Sequence, residues 1–352
     1  MKPVYIVSWL FALAISFVSC DDWLDKTPKD RLYPDVYFKT EDELRLFTNQ
    51  FYNNLVPSAV DIYSESSDLI VKSDLMLEMS GQRIIPDEGN GWNFTALRDI
   101  NFYLQYSHNC TEVNARNRYD GVARFFRAYF YFEKVKRYGD IPWYDKALDS
   151  DDPELYKARD SREFVMQKML EDLDFAIANL PKTKNAYVLT RWTALALKSR
   201  VCLFEGTFRK YHGLEDCEKY LNACVSASET FMNESGYTLY KSGSTPYRDL
   251  FASINLQADE VIFGRDYEAS LSVLHNVQNY ENSTTMGRPG MNKKIVNSYL
   301  MADGSRFTDK AGYETMTFDQ ECQNRDPRLA QTIRTPGYTR IGSTKKEAPN
   351  LA

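Results

Sequence analysis

Apolar positions recur with a helical period through most of the chain. Val122, Phe125, Phe126, Tyr129 and Phe132 fall at i, i+3, i+4, i+7 and i+10, which makes one face of a helix. Arg124, Arg127, Lys134, Lys136 and Arg137 fill the other turns, and the basic end suits the negative C-terminus of a helix dipole. Gly139 ends this helix and Pro142 prevents its resumption. Upstream, Thr40 and Glu43 form a T-x-x-E capping box ahead of a stripe at Leu44, Phe47, Phe51 and Leu55. A shorter helical run covers about residues 97–104. Downstream, Asp160 and Glu163 mark a helix start, with Met169, Leu173, Ala176, Ile177 and Leu180 as the stripe and Pro181 after it. Ala194, Leu197, Val201, Phe204 and Phe208 predict the next helix. Cys217, Leu221, Cys224 and Phe231 outline another, closed by Gly236.

Residues 115–233 therefore read as two antiparallel helix pairs. Phe132-Glu133 and Phe204-Glu205 stand at similar places in the first helix of each pair. This is a faint internal repeat of the tetratricopeptide kind, lengthened by a loop inserted at about 139–160. Residues 57–98 are broken by Pro57, Gly81, Pro86, Gly89 and Gly91. Beyond 236, "YTLYK" and "EVIFGRDYE" read as short strands between polar loops. The predicted fold class is mainly α: a helical scaffold over about 40–233, with irregular loops and a few short strands.

The N-terminus reads as a targeting segment. Lys2 precedes a mostly apolar run over 4–18, shorter than the roughly 20 residues a bilayer-spanning helix needs. The run ends Phe17-Val18-Ser19-Cys20, which resembles a bacterial lipobox with Phe17 in place of the usual Leu. That resemblance implies cleavage before Cys20 and its lipidation. The other reading is an ordinary signal peptide followed by a coincidental cysteine. Asp21 and Asp22 resemble the acidic surface-export tag of such lipoproteins.

With 352 residues, 43% of them hydrophobic, the chain can bury a large core. A net charge of −6 argues against a nucleic-acid partner, which calls for a basic stripe. Six cysteines show no CxxC spacing. Cys217 and Cys224, seven apart with His212 nearby, are too sparse for a metal, so no metal or cofactor is expected. The sequons at Asn93, Asn109, Asn233 and Asn282 read as chance matches. No serine-hydrolase, zinc-protease, P-loop or dinucleotide motif occurs, and His108, His212 and His275 are scattered. Acidic pairs such as Glu65/Asp68 or Asp303/Asp309 read as solvated surface, so catalysis is not expected.

Aromatics make up 14% of the chain, and two of them stand among amides in loops. Trp92 lies between Asn90 and Asn93, and Tyr280 between Asn279 and Asn282. Such a ring can stack on a sugar while the amides bond its hydroxyls. The plainer reading comes first: Trp92 plugs the start of the next helix and Tyr280 is a loop tyrosine. Asp74 and Arg83 belong to the same irregular region and join Trp92, Asn93 and Tyr280 as candidate ligand residues.

The wording of several stretches resembles the SusD/RagB family. The segment "GVARFFRAYFYFEKVKRYGDIPWYDKAL" resembles its central signature and "ALALKSRVCLFEG" its second. "YLMADGSR" and "NRDPRLAQTIRTPG" resemble late motifs, and the order Cys, W-L-D, Y-F resembles its start. Within the last motif, Arg325, Asp326 and Arg328 read as structural. The resemblance implies a tetratricopeptide-type scaffold in one domain over 21–352, behind a signal peptide over 1–20. Its ligand region would lie at about 57–98 and 236–339.

For function, the resemblance implies a non-catalytic glycan-binding lipoprotein on the outer face of the outer membrane. It would be lipid-anchored at Cys20 and would deliver oligosaccharides to a SusC-like TonB-dependent transporter. RagB-type relatives bind peptides, so a peptide lid is the alternative, and a structural or degenerate subunit is another. Family members continue past the motifs seen here, so the sequence reads as a fragment or a truncated product.

Overall fold

Each long stripe forms a helix in the computed structural model of the chain, which describes residues 37–56, 69–71, 77–84, 89, 91–275, 290–339 and 346–347. Helix α1 (Glu41–Leu55) begins at the expected capping box. Thr40 Oγ1 accepts from the Glu43 N–H, and the Glu43 carboxylate accepts from the Thr40 N–H. A single turn, α2 (Leu77–Ser80), precedes α3 (Thr95–Tyr106). The scaffold continues as α4 (Val113–Tyr138), α5 (Arg162–Asn179), α6 (Arg191–Tyr211) and α7 (Cys217–Glu234).

Helix α4 is the hub, packed against α1, α3 and α5. The sequence predicts one apolar face for it, but the burial is broader. Phe125, Phe126, Phe130, Tyr131, Phe132 and Val135 are all buried, and these positions point in every direction around the helix. A helix at the centre of a domain needs apolar side chains all round. Each large side chain buried this way contributes about 1.5–3 kcal/mol.

The two helix pairs are antiparallel. Gly121, early in α4, faces Leu180 just beyond the end of α5, and Arg127 binds Asp172 in two bonds of 2.6 and 2.7 Å. Gly206, late in α6, faces Leu221 early in α7, whereas Arg191 at the start of α6 meets Glu234 at the end of α7. Phe132 and Phe204 touch across the pairs, with ring centroids 5.5 Å apart. The glutamates that follow them are not equivalent. Glu133 is exposed, whereas Glu205 is fully buried and accepts from Arg162 at 2.6–3.0 Å and from Arg209 at 2.8 Å.

Two expectations need correction. The cap of α5 is Ser161, whose Oγ accepts from the Phe164 N–H, and not Asp160. The Asp160 carboxylate is engaged by the Trp143 N–H at 2.7 Å instead. "YTLYK" and "EVIFGRDYE" lie side by side but are not strands. Thr238 N–H bonds the Asp259 carbonyl, yet Tyr240 N–H goes to the Glu260 side chain and Gly264 N–H to the Ala186 carbonyl. Their backbone groups go to different partners, so no ladder forms.

The strands among the described residues are two-residue pairs. β1 (Ile70–Val71) runs antiparallel to β2 (Gly290–Met291), and β3 (Tyr338–Thr339) to β4 (Lys346–Glu347). Short helices α8 (Pro246–Ala252), α9 (Lys293–Ser298), α10 (Phe318–Glu321) and α11 (Pro327–Thr332) fill the region after the scaffold. Arg325 knits this region together. Its guanidinium is buried over the Phe307 ring and donates to the carbonyls of Glu321, Val296 and Tyr299. Asp326 caps α11 and pairs with Arg328, as the sequence suggests.

Candidate functional site

The loop between α4 and α5 folds back over α3 and makes a cleft there. Its return is fixed by Tyr131, whose hydroxyl accepts the Tyr144 N–H at 2.6 Å and whose ring stacks on Trp143 at 4.3 Å. From α3, the buried Asn101 amide donates to the carbonyls of Tyr144 and Lys146 at 2.9 and 3.2 Å. Its carbonyl in turn accepts from Arg127 at 3.2 Å. The polar capacity of the cleft floor is thus used internally, which leaves recognition to the walls and rim.

The cleft holds about 560 Å³ and is walled by Trp92, Phe94, Leu97, Tyr144, Leu148 and Leu155. Arg98, Lys146, Lys157 and Arg159 also line it. Trp92 enters from the turn before α3. Its N–H bonds the Gly89 carbonyl at 2.9 Å, and Gly91 adopts φ +82°, a conformation glycine takes without strain. The Lys134 ammonium donates to the Gly91 carbonyl and holds the turn on α4. Burial keeps that ammonium below its ordinary pKa, and the Arg137 charge adds to the effect. Burial raises the Tyr144 phenol, helped by the Asp160 and Glu154 charges.

Both sequence readings of Trp92 describe part of its position. Its ring meets Phe94 and Tyr138 edge to face at 5.3 and 4.9 Å, so it does pack at the start of α3. It is also 40% exposed, on the cleft wall. Asn93 is exposed beside it, but its carbonyl oxygen accepts the Thr95 N–H at 2.8 Å and shapes the turn. Arg83 is exposed just after α2 and does not line the cleft. Asp74, Tyr280 and Cys20 lie outside the described residues. Tyr144 and the four cations are the residues that sequence reasoning missed. Arg98 stands on α3 itself; the signal of the others is the basic and aromatic run Tyr144, Lys146, Lys157 and Arg159, which reaches α3 only through the fold-back.

Among the described residues no cluster of His, Cys, Asp and Glu is arranged to hold a metal ion. Among them, too, no helix is long and apolar enough to cross a membrane. Cys110, Cys202, Cys217, Cys224 and Cys322 are free thiols.

Comparison with known proteins gives a consistent picture. Residues 79–191 match a family described as "Starch-binding associating with outer membrane", and residues 228–350 match one described as "SusD family". SusD-like protein P2 of Formosa agariphila is 26% identical over 294 residues, covering 78% of this chain and 55% of the relative. SusD-like protein P38 of the same organism is 25% identical over 226 residues, covering 58% and 43%. The chain spans about half the length of the curated relatives it matches.

Among solved structures, a SusD-like protein from Bacteroides fragilis superposes with a TM-score of 0.69 at 22% identity, covering 89% of this chain and 64% of that one. A SusD-like carbohydrate binding protein from the same organism gives 0.69 at 16% identity, covering 90% and 63%. A third, described as solved with xylogluco-oligosaccharide, gives 0.57 at 18% identity, covering 74% and 55%. These likenesses show that the mainly helical, tetratricopeptide-like architecture is shared.

Proposed function

Because the chain belongs to the SusD/RagB family, we propose that it is a non-catalytic glycan-binding protein of the outer-membrane surface. The observation that carries this reading is the aromatic-walled cleft of Trp92, Phe94 and Tyr144. Apolar walls with polar groups at the rim suit a sugar ring, whose faces are apolar and whose edges bear hydroxyls. The description of one matched family as starch-binding and of one structural relative as carbohydrate-binding supports the same reading.

In this account the protein is anchored through lipid on Cys20 and delivers oligosaccharides to a SusC-like TonB-dependent transporter. A half-open cleft binds weakly on its own. Tethering beside the transporter raises the effective concentration and offsets that weakness. Stable attachment needs more than one acyl chain, since a single chain holds only marginally. Asp74, Arg83 and Tyr280 remain proposed contributors to ligand contact alongside Trp92 and Asn93.

The test is a titration of the purified protein with oligosaccharide and peptide panels, with the ligands recovered afterwards. Saturable oligosaccharide binding with intact ligand supports the proposal. Turnover of the ligand, or selective binding of peptides, overturns it.

A further inference from the structure

We infer that the Trp92 cleft selects oligosaccharides bearing an anionic group, a carboxylate or a sulfate, and that Arg159 is the side chain that reads it. This inference rests on the glycan reading above and narrows its substrate class.

The first observation is the distribution of charge. Among the described residues, four cationic side chains line the cleft and no carboxylate does. Three of the four are engaged by groups outside the lining or by the backbone. Arg98 donates to the Leu148 carbonyl at 3.1 Å and lies 3.8 Å from Asp149. Lys146 pairs with Glu154 at 3.1 Å. Lys157 pairs with Asp160 at 3.0 Å and donates to the Trp143 carbonyl at 2.6 Å. Arg159 differs. It makes no ion pair among the described residues, and its guanidinium lies 4.9 Å over the exposed Trp92 ring.

The second observation is that Arg159 is held in place. Residues on both sides of it are pinned to the fold-back. The Ile141 N–H bonds the Asp160 carbonyl at 3.2 Å, and the Trp143 N–H bonds the Asp160 carboxylate at 2.7 Å. The Lys157 bond to Trp143 fixes the other side. The backbone that presents Arg159 is thus fixed, and the planar guanidinium fork matches carboxylate and sulfate oxygens. Long-range attraction cannot supply the preference, because the whole chain carries −6. The selection is therefore local to this rim. A sugar bound in the cleft lies beside Arg159, which lines it together with Trp92.

The experiment is a glycan array pairing each neutral oligosaccharide with its uronate and its sulfated form, followed by calorimetry of the best trio. The inference predicts that an anionic member binds about tenfold more tightly than its neutral counterpart, the scale of one charge-assisted hydrogen bond. Arg159→Ala should abolish that preference, weakening anionic members about tenfold more than their neutral counterparts, in a protein that remains folded, since Arg159 is exposed. Arg159→Lys should restore only part of it. Raising the salt concentration should narrow the gap. A preference for uronates alone identifies a carboxylate reader, and one for sulfated sugars alone a sulfate reader. Equal or tighter binding of neutral sugars, or an anionic preference that survives Arg159→Ala, overturns the inference and leaves the glycan reading intact. A folded protein that binds no sugar of any kind overturns both.

Discussion

Trp92 meets Tyr138 edge to face, with ring centroids 4.9 Å apart and planes at 86°, and this contact ties the turn before α3 to the last turn of α4. The same ring is 40% exposed on the cleft wall. Full burial would make Trp→Ala cost about 3–5 kcal/mol. Half-burial predicts a loss of about 1–2 kcal/mol for Trp92→Ala, with ligand affinity falling more steeply than stability. Denaturant melts and titration of the same variant check this. A loss at the full-burial level would make Trp92 a core residue only.

Glu205 joins α6 to the start of α5. It is fully buried and accepts from both Arg162 and Arg209. Removing one partner of a buried ion pair leaves the other charge uncompensated. Glu205→Ala is expected to lower stability by about 3–5 kcal/mol, read from the shift of the urea midpoint at unchanged slope.

Gly206 explains how closely α6 and α7 approach. A Cβ there would sit 2.7 Å from Leu221 Cδ2 and 3.1 Å from the Leu221 backbone nitrogen. On helix propensity alone, Gly→Ala should stabilise by about 1 kcal/mol. The clash with backbone reverses the sign, so Gly206→Ala is expected to destabilise by about 1–3 kcal/mol. Gly121→Ala meets the Leu180 side chain at 3.3 Å and the Ala176 Cα at an ordinary 3.7 Å, and should be much milder. Thermal melts of the two variants side by side test the contrast.

Glu163 predicts a pH dependence. Burial raises its pKa, but the hydrogen bond from Lys219 and the charges of Arg209 and Lys219 outweigh that and hold it below the ordinary 4.5. A carboxylate lowered in the folded state contributes stability that is complete above its unfolded pKa. That stability is lost as pH falls through the lowered value. Glu163→Gln should therefore be less stable than wild type at neutral pH, and the two melting temperatures should converge below about pH 4. A constant difference across pH 7 to 3 would contradict this.

The helices were legible because their signals are local. Thr40 and Glu43 cap α1 three residues apart, and the stripe that follows is the buried one. The α5 start falls where Asp160 and Glu163 point, but its capping side chain is chosen nonlocally. Asp160 and Ser161 are both good caps, and the choice is made by the Trp143 N–H, which takes the Asp160 carboxylate. "YTLYK" and "EVIFGRDYE" have strand-like side chains, but their backbone partners lie in the Ala186 region and in the Glu260 side chain, which periodicity cannot reveal. At the cleft, Trp92 was legible as an aromatic among amides. Tyr144 and Arg159 were not, because they reach α3 only through the fold-back pinned by Tyr131 and Asn101. Arg83 is near Trp92 in sequence and is not among the described residues that line the cleft.

The central claim is that this cleft binds sugar without transforming it. The most direct measurement is calorimetric titration of the purified protein with the oligosaccharide panel, with the ligand analysed afterwards, for wild type and Trp92→Ala. The account predicts saturable binding in wild type, intact ligand, and binding lost or strongly weakened in a Trp92→Ala protein that remains folded. Oligosaccharide binding that is indifferent to Trp92→Ala, ligand recovered as cleavage products, or a folded protein that binds only peptides would contradict it.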